Sequence, residues 1–343
     1  MKKSFLLALT LLTFATVNAQ EVRVGCIGFY NLENLFDTID APDIRDAEFT
    51  PKGDRLWNTT LYQEKLGNLA KVIKEIGTDL TPDGVAILGV AEVENRSVLE
   101  DLVKHPTLID RKYKIIHFDS PDERGIDVGL LYQPKYFRLD TAFAIEQPIP
   151  EPDGDIDRTR DVLYVSGKFD KDPMHFLVNH WPSRSGGEAV SSWKREASAA
   201  INKAIVDSLM MTNPKAKVII MGDLNDDPIS PSVKKVLNAK HKKSKLQSKD
   251  LYNPMYSFFQ KGIGTLAWRD SWNLFDQLII SEGLVNPAGQ SYEFYKANVH
   301  NKKYLQNKSG RYKGYPFRTF AGDNYIGGYS DHFPVYLYLI KRM

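Results

Sequence analysis

The stretch Val218-Ile219-Ile220-Met221-Gly222-Asp223-Leu224-Asn225-Asp226-Asp227-Pro228 changes character at a single residue. An apolar strand stops at a glycine, which permits a close backbone approach or a strained turn. A carboxylate and an amide then follow two positions apart. Side chains at that spacing lie on one face of an extended segment, so Asp223 and Asn225 can grip the same phosphate or water. The alternative is a plain Asn/Asp/Pro turn.

Runs of the same kind, rich in β-branched and aromatic residues, recur at Glu21 to Tyr30, Gly84 to Val90, Tyr113 to Phe118, Val128 to Tyr132, Val162 to Phe169, His175 to Val178, Phe275 to Ile280 and Val335 to Ile340. Two patterns have helical spacing. One is Leu66, Leu69, Ile73 and Ile76; the other is Trp193, Ala197, Ala200, Ile201, Ala204 and Ile205. Many strands with few helices, neither strictly alternating nor in blocks, predict two packed sheets flanked by helices, an α+β sandwich. Several strands end in polar clusters: Asn31 and Glu33, Glu92 and Glu94, His180, then Asp223 and Asn225. Strand ends are where a rigid scaffold presents catalytic groups.

The first residues bear on the compartment. Lys2 and Lys3 precede an apolar run from Phe5 to Phe14 that ends near Val17-Asn18-Ala19, the pattern of a signal peptide cleaved after Ala19. The run is shorter than the roughly 20 residues of a spanning helix, and Gln20 rather than a lipid-accepting cysteine follows. An exported protein without stable membrane insertion is expected. The sole cysteine, Cys26, cannot form an internal disulfide, so stability must come from the core. With 42% hydrophobic residues in 343 there is ample material for one. No repeat, low-complexity tract or flexible linker divides the chain, so residues 20–343 read as a single domain and a monomer. The net charge of +2 says little about partners; only the distribution of charge does.

Hard divalent ions take oxygen ligands, and a Mg²⁺ site uses one or two carboxylates while leaving room for water and phosphate. Glu92, directly after the apolar run Val85 to Ala91, is such a carboxylate. Near the C-terminus, Tyr329-Ser330-Asp331-His332-Phe333-Pro334-Val335 sets a carboxylate and an imidazole just before a strand. A second histidine lies in Val178-Asn179-His180-Trp181-Pro182-Ser183-Arg184. Each of these alone fits an ordinary solvated loop.

Taken in order, the segments resemble the endonuclease/exonuclease/phosphatase superfamily, over roughly Val22 to Leu339. Phe29-Tyr30-Asn31-Leu32-Glu33-Asn34 looks like the element in which an Asn closes the first strand. Ala91-Glu92-Val93 matches the metal-binding Glu, with Ala in place of the usual Gln. Gly222 to Asn225 matches Gly-Asp-φ-Asn, Asp276 matches a later Asp before an apolar strand, and Ser330 to Pro334 matches Ser-Asp-His-φ-Pro. The resemblance implies a deoxyribonuclease I-like fold, a four-layer α/β/β/α sandwich.

It also implies roles. Glu92 would hold Mg²⁺, or Mn²⁺ or Ca²⁺, with Asp331, Asn31 or Glu33 assisting. Asp223 would orient or deprotonate the attacking water, while Asn225 and Asn31 hold the phosphate. His332 would donate to a phosphoryl oxygen or act as acid or base, with Asp276 fixing its tautomer. His180 matches a second catalytic histidine, and Asp127 stands where its carboxylate partner would be.

Two basic runs bear on substrate. One passes through Lys234, Lys235, Lys240, Lys242, Lys243, Lys245 and Lys249. The other passes through Lys296, Lys302, Lys303, Lys308, Arg311, Lys313 and Arg318, interleaved with Tyr304, Tyr312, Tyr315 and Phe317. Cations with aromatics suit a nucleic-acid backbone with stackable bases, so Arg184, Arg311, Lys313 and Arg318 join Asn31 and Asn225 as candidate substrate contacts. The expectation is a nuclease. The alternatives are a phosphatase or phosphodiesterase on phospholipid head groups or small phosphate esters, a serine esterase using Ser330 or Ser183, and an inactive binding module. No exposed aromatic hairpin suited to a lipid surface is evident, and neither serine sits in a Gly-x-Ser-x-Gly elbow.

Overall fold

Alternation along the strands sorts the apolar residues into three layers. In the computed structural model, which describes residues 21–42, 44–151 and 153–343, Ile27 and Phe29 of the first strand share one core while Cys26 and Tyr30 share another. Val335, Leu337 and Leu339 against Tyr336 and Tyr338 divide in the same way. Ile219 and Met221 join the first core, whereas Val218 and Ile220 join a third. The period of two of a strand thus builds a central core between two sheets and an outer core on each far side. The signal-peptide reading of residues 1–19 lies outside the described residues. Among the described residues no helix is long and apolar enough to cross a membrane.

Twelve strands form the two sheets: β1 (Val22–Leu35), β2 (Ile87–Val93), β3 (Lys114–His117), β4 (Asp127–Tyr132), β5 (Phe137–Ile145), β6 (Val162–Phe169), β7 (Asp172–His180), β8 (Val218–Asp223), β9 (Leu251–Tyr252), β10 (Asp276–Ser281), β11 (Glu293–Val299) and β12 (Val335–Arg342). One sheet runs β11-β12-β1-β2-β4-β3 and the other β9-β10-β8-β7-β6-β5. Helices α1 (Thr59–Glu75) and α2 (Arg96–Lys104) cover the first sheet through Leu66, Leu69, Ile73 and Leu99. Helix α3 (Glu188–Thr212) covers the second through Ala199, Val206 and Met210. This is the α/β/β/α sandwich.

The predicted strands are present with shifted ends, and β5, β9 and β11 are additional. These three occupy sheet edges, where one neighbour is missing and apolar patterning is weak; β5 is exposed over most of its length. The second helical pattern falls on helix α3, but the buried stripe is a different one, Ser191, Arg195, Ser198, Ala199, Asn202, Val206 and Met210; of the predicted face Ile201 and Ile205 pack partly buried against the core and Ala200 and Ala204 are exposed. Arg195 Nε lies 2.7 Å from Asp226 Oδ1 and Asn202 Nδ2 donates to Asn179 Oδ1 at 2.7 Å, while the Ser198 hydroxyl and Asn202 Oδ1 are buried without a hydrogen-bond partner.

Strand direction gathers the polar ends. β1 runs parallel to β2 and β7 parallel to β8, so Asn31, Glu92, His180 and Asp223 all emerge where these strands finish. β10 runs antiparallel and starts at that edge, placing Asp276 opposite Asp223. β12 likewise starts there, with Val335 opposite Phe29, so His332 precedes it at the same edge.

Gly222 is a close-approach glycine in a strand and not a turn. A Cβ there would sit 2.3 Å from the Asn179 carbonyl oxygen and 2.8 Å from Asn179 Cβ. Asn179 cannot yield, because its Oδ1 also accepts from Trp181 Nε1 at 3.0 Å. Gly222→Ala is expected to destabilise the fold by about 3 kcal/mol, the upper end of overpacking costs. Urea unfolding checks this; an unchanged midpoint would show that the strands part without cost.

Candidate active site

The turn Asn31-Leu32-Glu33-Asn34 interrupts the β1–β2 register, which shifts between Asn31 and Leu35. Glu33 and Asn34 sit at φ 50° and 52°, Glu92 at 59° and, across the interface, Asn225 at 48°. Non-glycine residues in the left-handed region cost free energy, and four at one edge mark a backbone held by its surroundings. What holds it is visible. Glu33 N–H donates to Asn31 Oδ1 at 2.9 Å, which fixes the orientation of that amide. Its Nδ2 then donates to Glu92 Oε1 at 3.0 Å and to Asp223 Oδ2 at 3.1 Å, joining carboxylates from the two sheets. Asn34 N–H donates to Glu92 Oε2 at 2.9 Å.

Asp223 stands in the middle. It pairs in register with His180 on one side and Asp276 on the other. Its Oδ2 lies 3.7 Å from Nε2 of both His180 and His332, and its Oδ1 accepts from Asn225 N–H at 2.9 Å. Burial, opposed by His332 and reinforced by Asp276, raises the affinity of this carboxylate for a proton. Asn225 donates its side-chain amide to the Trp181 carbonyl at 2.9 Å.

The two imidazoles differ in charge. His332 Nδ1 faces Asp276 Oδ2 at 2.7 Å. Asp276 is fully buried and its Oδ1 has no hydrogen-bond partner, so the imidazolium is the group that compensates its charge. Burial alone would lower His332, but Asp276 and Asp223 outweigh it and hold the imidazole well above its ordinary value. His180 goes the other way: burial, then Arg160, Arg124 and His332, push it well below. It is a neutral ring whose Nε2 lies 3.9 Å from Glu92 Oε1.

The ligand atoms of Glu92, His180 and Asp223 lie within 4.8 Å of one another, the span of one cation's coordination shell, and the donors are two carboxylates and a neutral imidazole. The donor set fits a hard divalent ion. Asn31 belongs beside it as a brace, since its amide nitrogen faces the carboxylates.

Several expected roles need correction. Asp127 does not partner His180, whose Nδ1 is buried without a hydrogen-bond partner. Asp127 Oδ2 instead meets His117 Nε2 at 2.9 Å and its Oδ1 accepts from Ser120. The carboxylate of Glu33 is engaged elsewhere: it accepts from Thr319 N–H at 2.7 Å and lies 3.5 Å from Arg318 Nε and 3.9 Å from the buried Lys65 Nζ. Its part is to position Arg318. Asp331 is bonded to Arg318 Nη2 at 2.9 Å, with its other oxygen 3.9 Å from His332 Nε2. Arg184 is matched by Glu188, Asp226 and Asp227 and packs 4.4 Å from the Phe275 ring centroid, so it anchors the loop after Asp223. The Ser330 hydroxyl donates to the Asn31 carbonyl at 2.8 Å and accepts from His332 N–H, which leaves it structural.

The basic runs part company. Lys240 pairs with Leu251, and Leu251 pairs with Ser281, the far end of β10 from Asp276. Five residues of strand separate the two ends, roughly 17 Å. The run around Lys240 therefore lies away from the site. Arg311 and Arg318 line a cavity on its side, whereas Lys313 is not among that cavity's lining residues; all three are exposed.

Other residues escaped the sequence. Lys65 lies fully buried in α1 and donates to the Glu33 carbonyl at 2.9 Å and to Thr319 Oγ1 at 2.5 Å; nothing marks it among the lysines of an amphipathic helix. Arg124 donates to Asn34 Oδ1 at 2.8 Å, and the Asn34 N–H in turn donates to Glu92. An exposed aromatic hairpin is present after all. Its strands, Leu266–Trp268 and Ser271–Asn273, are too short to show alternation, and its tip, Arg269 and Asp270, adopts φ 48° and 62°, as a tight hairpin requires.

Solved structures share this architecture. Humanized TDP2 of D. rerio superposes with a TM-score of 0.56 at 12% identity, over 92% of this chain and 98% of that one. D. rerio TDP2 complexed with single strand DNA product gives 0.54 at 12% identity, over 92% and 98%. A mannosyl-6-phosphatase of Bacteroides thetaiotaomicron VPI-5482 gives 0.52 at 15% identity, over 92% and 99%. Among curated proteins none matches the chain in sequence. The model of the Endonuclease/Exonuclease/phosphatase family matches residues 26–341, and with the motifs now assembled at one edge of the sandwich the chain belongs to that family of phosphate-ester hydrolases.

Proposed function

We propose that this protein is an exported, metal-dependent phosphodiesterase that cleaves nucleic acid. The observation that carries the reading is the placement of Asp223. It lies between a charged imidazole paired with a buried carboxylate and a second carboxylate, Glu92, on the facing sheet. Phosphoryl transfer asks the protein for position and charge more than for covalent chemistry.

Glu92, with Asp223 and His180 alongside, would hold the divalent ion, which when bound neutralises charge on the phosphate oxygens. Asp223, whose Oδ2 lies 3.7 Å from Nε2 of both imidazoles, stands where it can orient the attacking water and accept its proton. His332 Nε2 donates toward a phosphoryl or leaving oxygen, with Asp276 fixing Nδ1 as the site of the other proton. Arg318, held by Asp331 and Glu33, supplies a cation on the same side. The cleft beyond it, lined by arginines and exposed aromatics, favours a polyanion with planar bases over a small ester. A second reading, hydrolysis of a small phosphate ester, is supported by the fold shared with the mannosyl-6-phosphatase.

The deciding assay incubates the pure protein with DNA, RNA, sphingomyelin, mannose 6-phosphate and bis(p-nitrophenyl) phosphate, with Mg²⁺, with Mn²⁺ and with EDTA. Hydrolysis is expected to vanish in EDTA and return with Mg²⁺ or Mn²⁺. Full activity after thorough chelation removes the metal, and cleavage of mannose 6-phosphate without cleavage of nucleic acid replaces the first reading by the second.

Asp276→Asn separates the imidazole's charge from its place. Turnover should fall by about 10²–10⁴-fold, the usual worth of a general acid or base. Because the pair with Asp276 keeps His332 protonated to high pH, losing it lowers the ring's affinity for its proton, so the alkaline limb of the pH–rate profile should move to lower pH. An unchanged profile at unchanged turnover removes Asp276 from the mechanism.

A further inference from the structure

Beside the catalytic cluster lies a cavity of about 450 Å³, inside the roughly 300–1,000 Å³ range of small-ligand sites. One wall carries Trp268 and Arg269; the other carries Asn307, Arg311, Tyr312 and Arg318. Arg318 and Asp331 border both the cavity and the catalytic cluster, so a ligand in one is continuous with a phosphate in the other.

The walls are built. The base of the hairpin is locked to the catalytic elements, with Phe333 N–H donating to the Thr265 carbonyl at 2.7 Å and Leu274 N–H to Asp227 Oδ1 at 2.8 Å. Trp272 stacks on Phe333, the residue after His332, at 6.1 Å and meets Tyr315 edge-on at 5.7 Å. The hairpin tip reaches the opposite wall, where Tyr315 Oη donates to Asp270 Oδ1 at 2.8 Å. Two short elements therefore face each other at a fixed separation.

Their chemistry selects a ligand. Trp268 is 62% exposed and Tyr312 55%, large aromatic faces left open to solvent. Each has a guanidinium beside it: Arg269 lies 5.5 Å from the Trp268 ring centroid and Arg311 5.7 Å from that of Tyr312. The only carboxylate on the lining, Asp331, is bonded to Arg318, and the Asn307 amide donates to the carbonyls of Tyr315 and Pro316. A sugar ring needs carboxylates and amides for its hydroxyls, and those here are already engaged. A planar ring carrying phosphates needs aromatic faces and guanidinium groups: the faces of Trp268 and Tyr312 are exposed and Arg269 has no ion pair among the described residues, while Arg311 lies 3.8 Å from the exposed Asp270 and Arg318 is held by Asp331 and Glu33. In a duplex the faces of the bases are covered by their neighbours, so only an unpaired base can stack here.

We propose that this cavity takes the unpaired base of a nucleotide adjoining the scissile phosphate, and that the protein thereby favours single-stranded over duplex nucleic acid. The proposal rests on the nuclease reading. The test compares kcat/KM on short oligothymidylate, on an abasic strand of the same length and on the oligothymidylate paired in a duplex. The wild-type protein should cut the oligothymidylate about ten-fold faster than the other two, near the lower end of what stacking one base contributes. The Trp268→Ala/Tyr312→Ala variant should cut it only as fast as the abasic strand, with its rate on the abasic strand unchanged. Equal wild-type rates on all three, or a variant that keeps the wild-type ratio, overturn the base site while leaving the nuclease reading intact. If no strand is cut although bis(p-nitrophenyl) phosphate is hydrolysed, the nuclease reading fails and the base site with it.

Discussion

One side-chain amide ties the two halves of the sandwich together at the working edge. Asn31 ends the regular part of a strand in the first sheet, and its nitrogen donates to Glu92 beside it and to Asp223 of the second sheet. Two carboxylates in a buried setting repel, and each loses water that would have solvated it. The amide relieves part of that cost and sets how far apart the carboxylates stand. Its orientation follows from the turn after it, where Glu33 takes a left-handed conformation to send its N–H to Asn31 Oδ1. The strained turn, the amide and the facing carboxylates are one arrangement.

From that joint the electrostatics divide. His332 is paired with a buried carboxylate whose other oxygen has no partner and is held charged; His180, at the same edge, is held neutral by burial, then by Arg160 and Arg124. Two identical side chains thus offer a proton donor and a neutral nitrogen ligand within reach of one carboxylate. Environment, and not residue type, sets the two roles. The same logic explains Lys65. Buried and lowered by desolvation, it is fastened to the Glu33 carbonyl, Thr319 and the Tyr329 carbonyl, and so stitches the turn after Asn31 to the segment before Asp331.

Much of this was legible in order along the chain. Strands buried on both faces, such as Val218 to Met221, announce themselves by composition, and the polar residue that stops each one marks the shared edge. The three edge strands were not legible, since half-exposed strands such as Phe137–Ile145 lack the apolar run. Pairings between distant residues were harder still. Asp127 sits near the right place in sequence to serve His180, yet it belongs to His117, because strand register and not sequence spacing sets its neighbours. Glu33 reads as a metal ligand from its position beside Asn31. A single left-handed residue turns its carboxylate to Thr319 and Arg318 instead. Trp268 was hidden by the brevity of its strands.

Metal-assisted hydrolysis at this edge requires one cation centre spanning both sheets, at Glu92, Asp223 and His180, and a rival exists in the cluster of His117, Asp119 and Asp127. A calorimetric titration of the pure protein with Mn²⁺, repeated on Glu92→Gln and on His117→Ala, distinguishes them. Glu92→Gln is expected to weaken Mn²⁺ binding by about ten-fold or more, while His117→Ala binds as the wild type does. Wild-type affinity in Glu92→Gln together with lost binding in His117→Ala would place the ion at the other cluster and contradict the account.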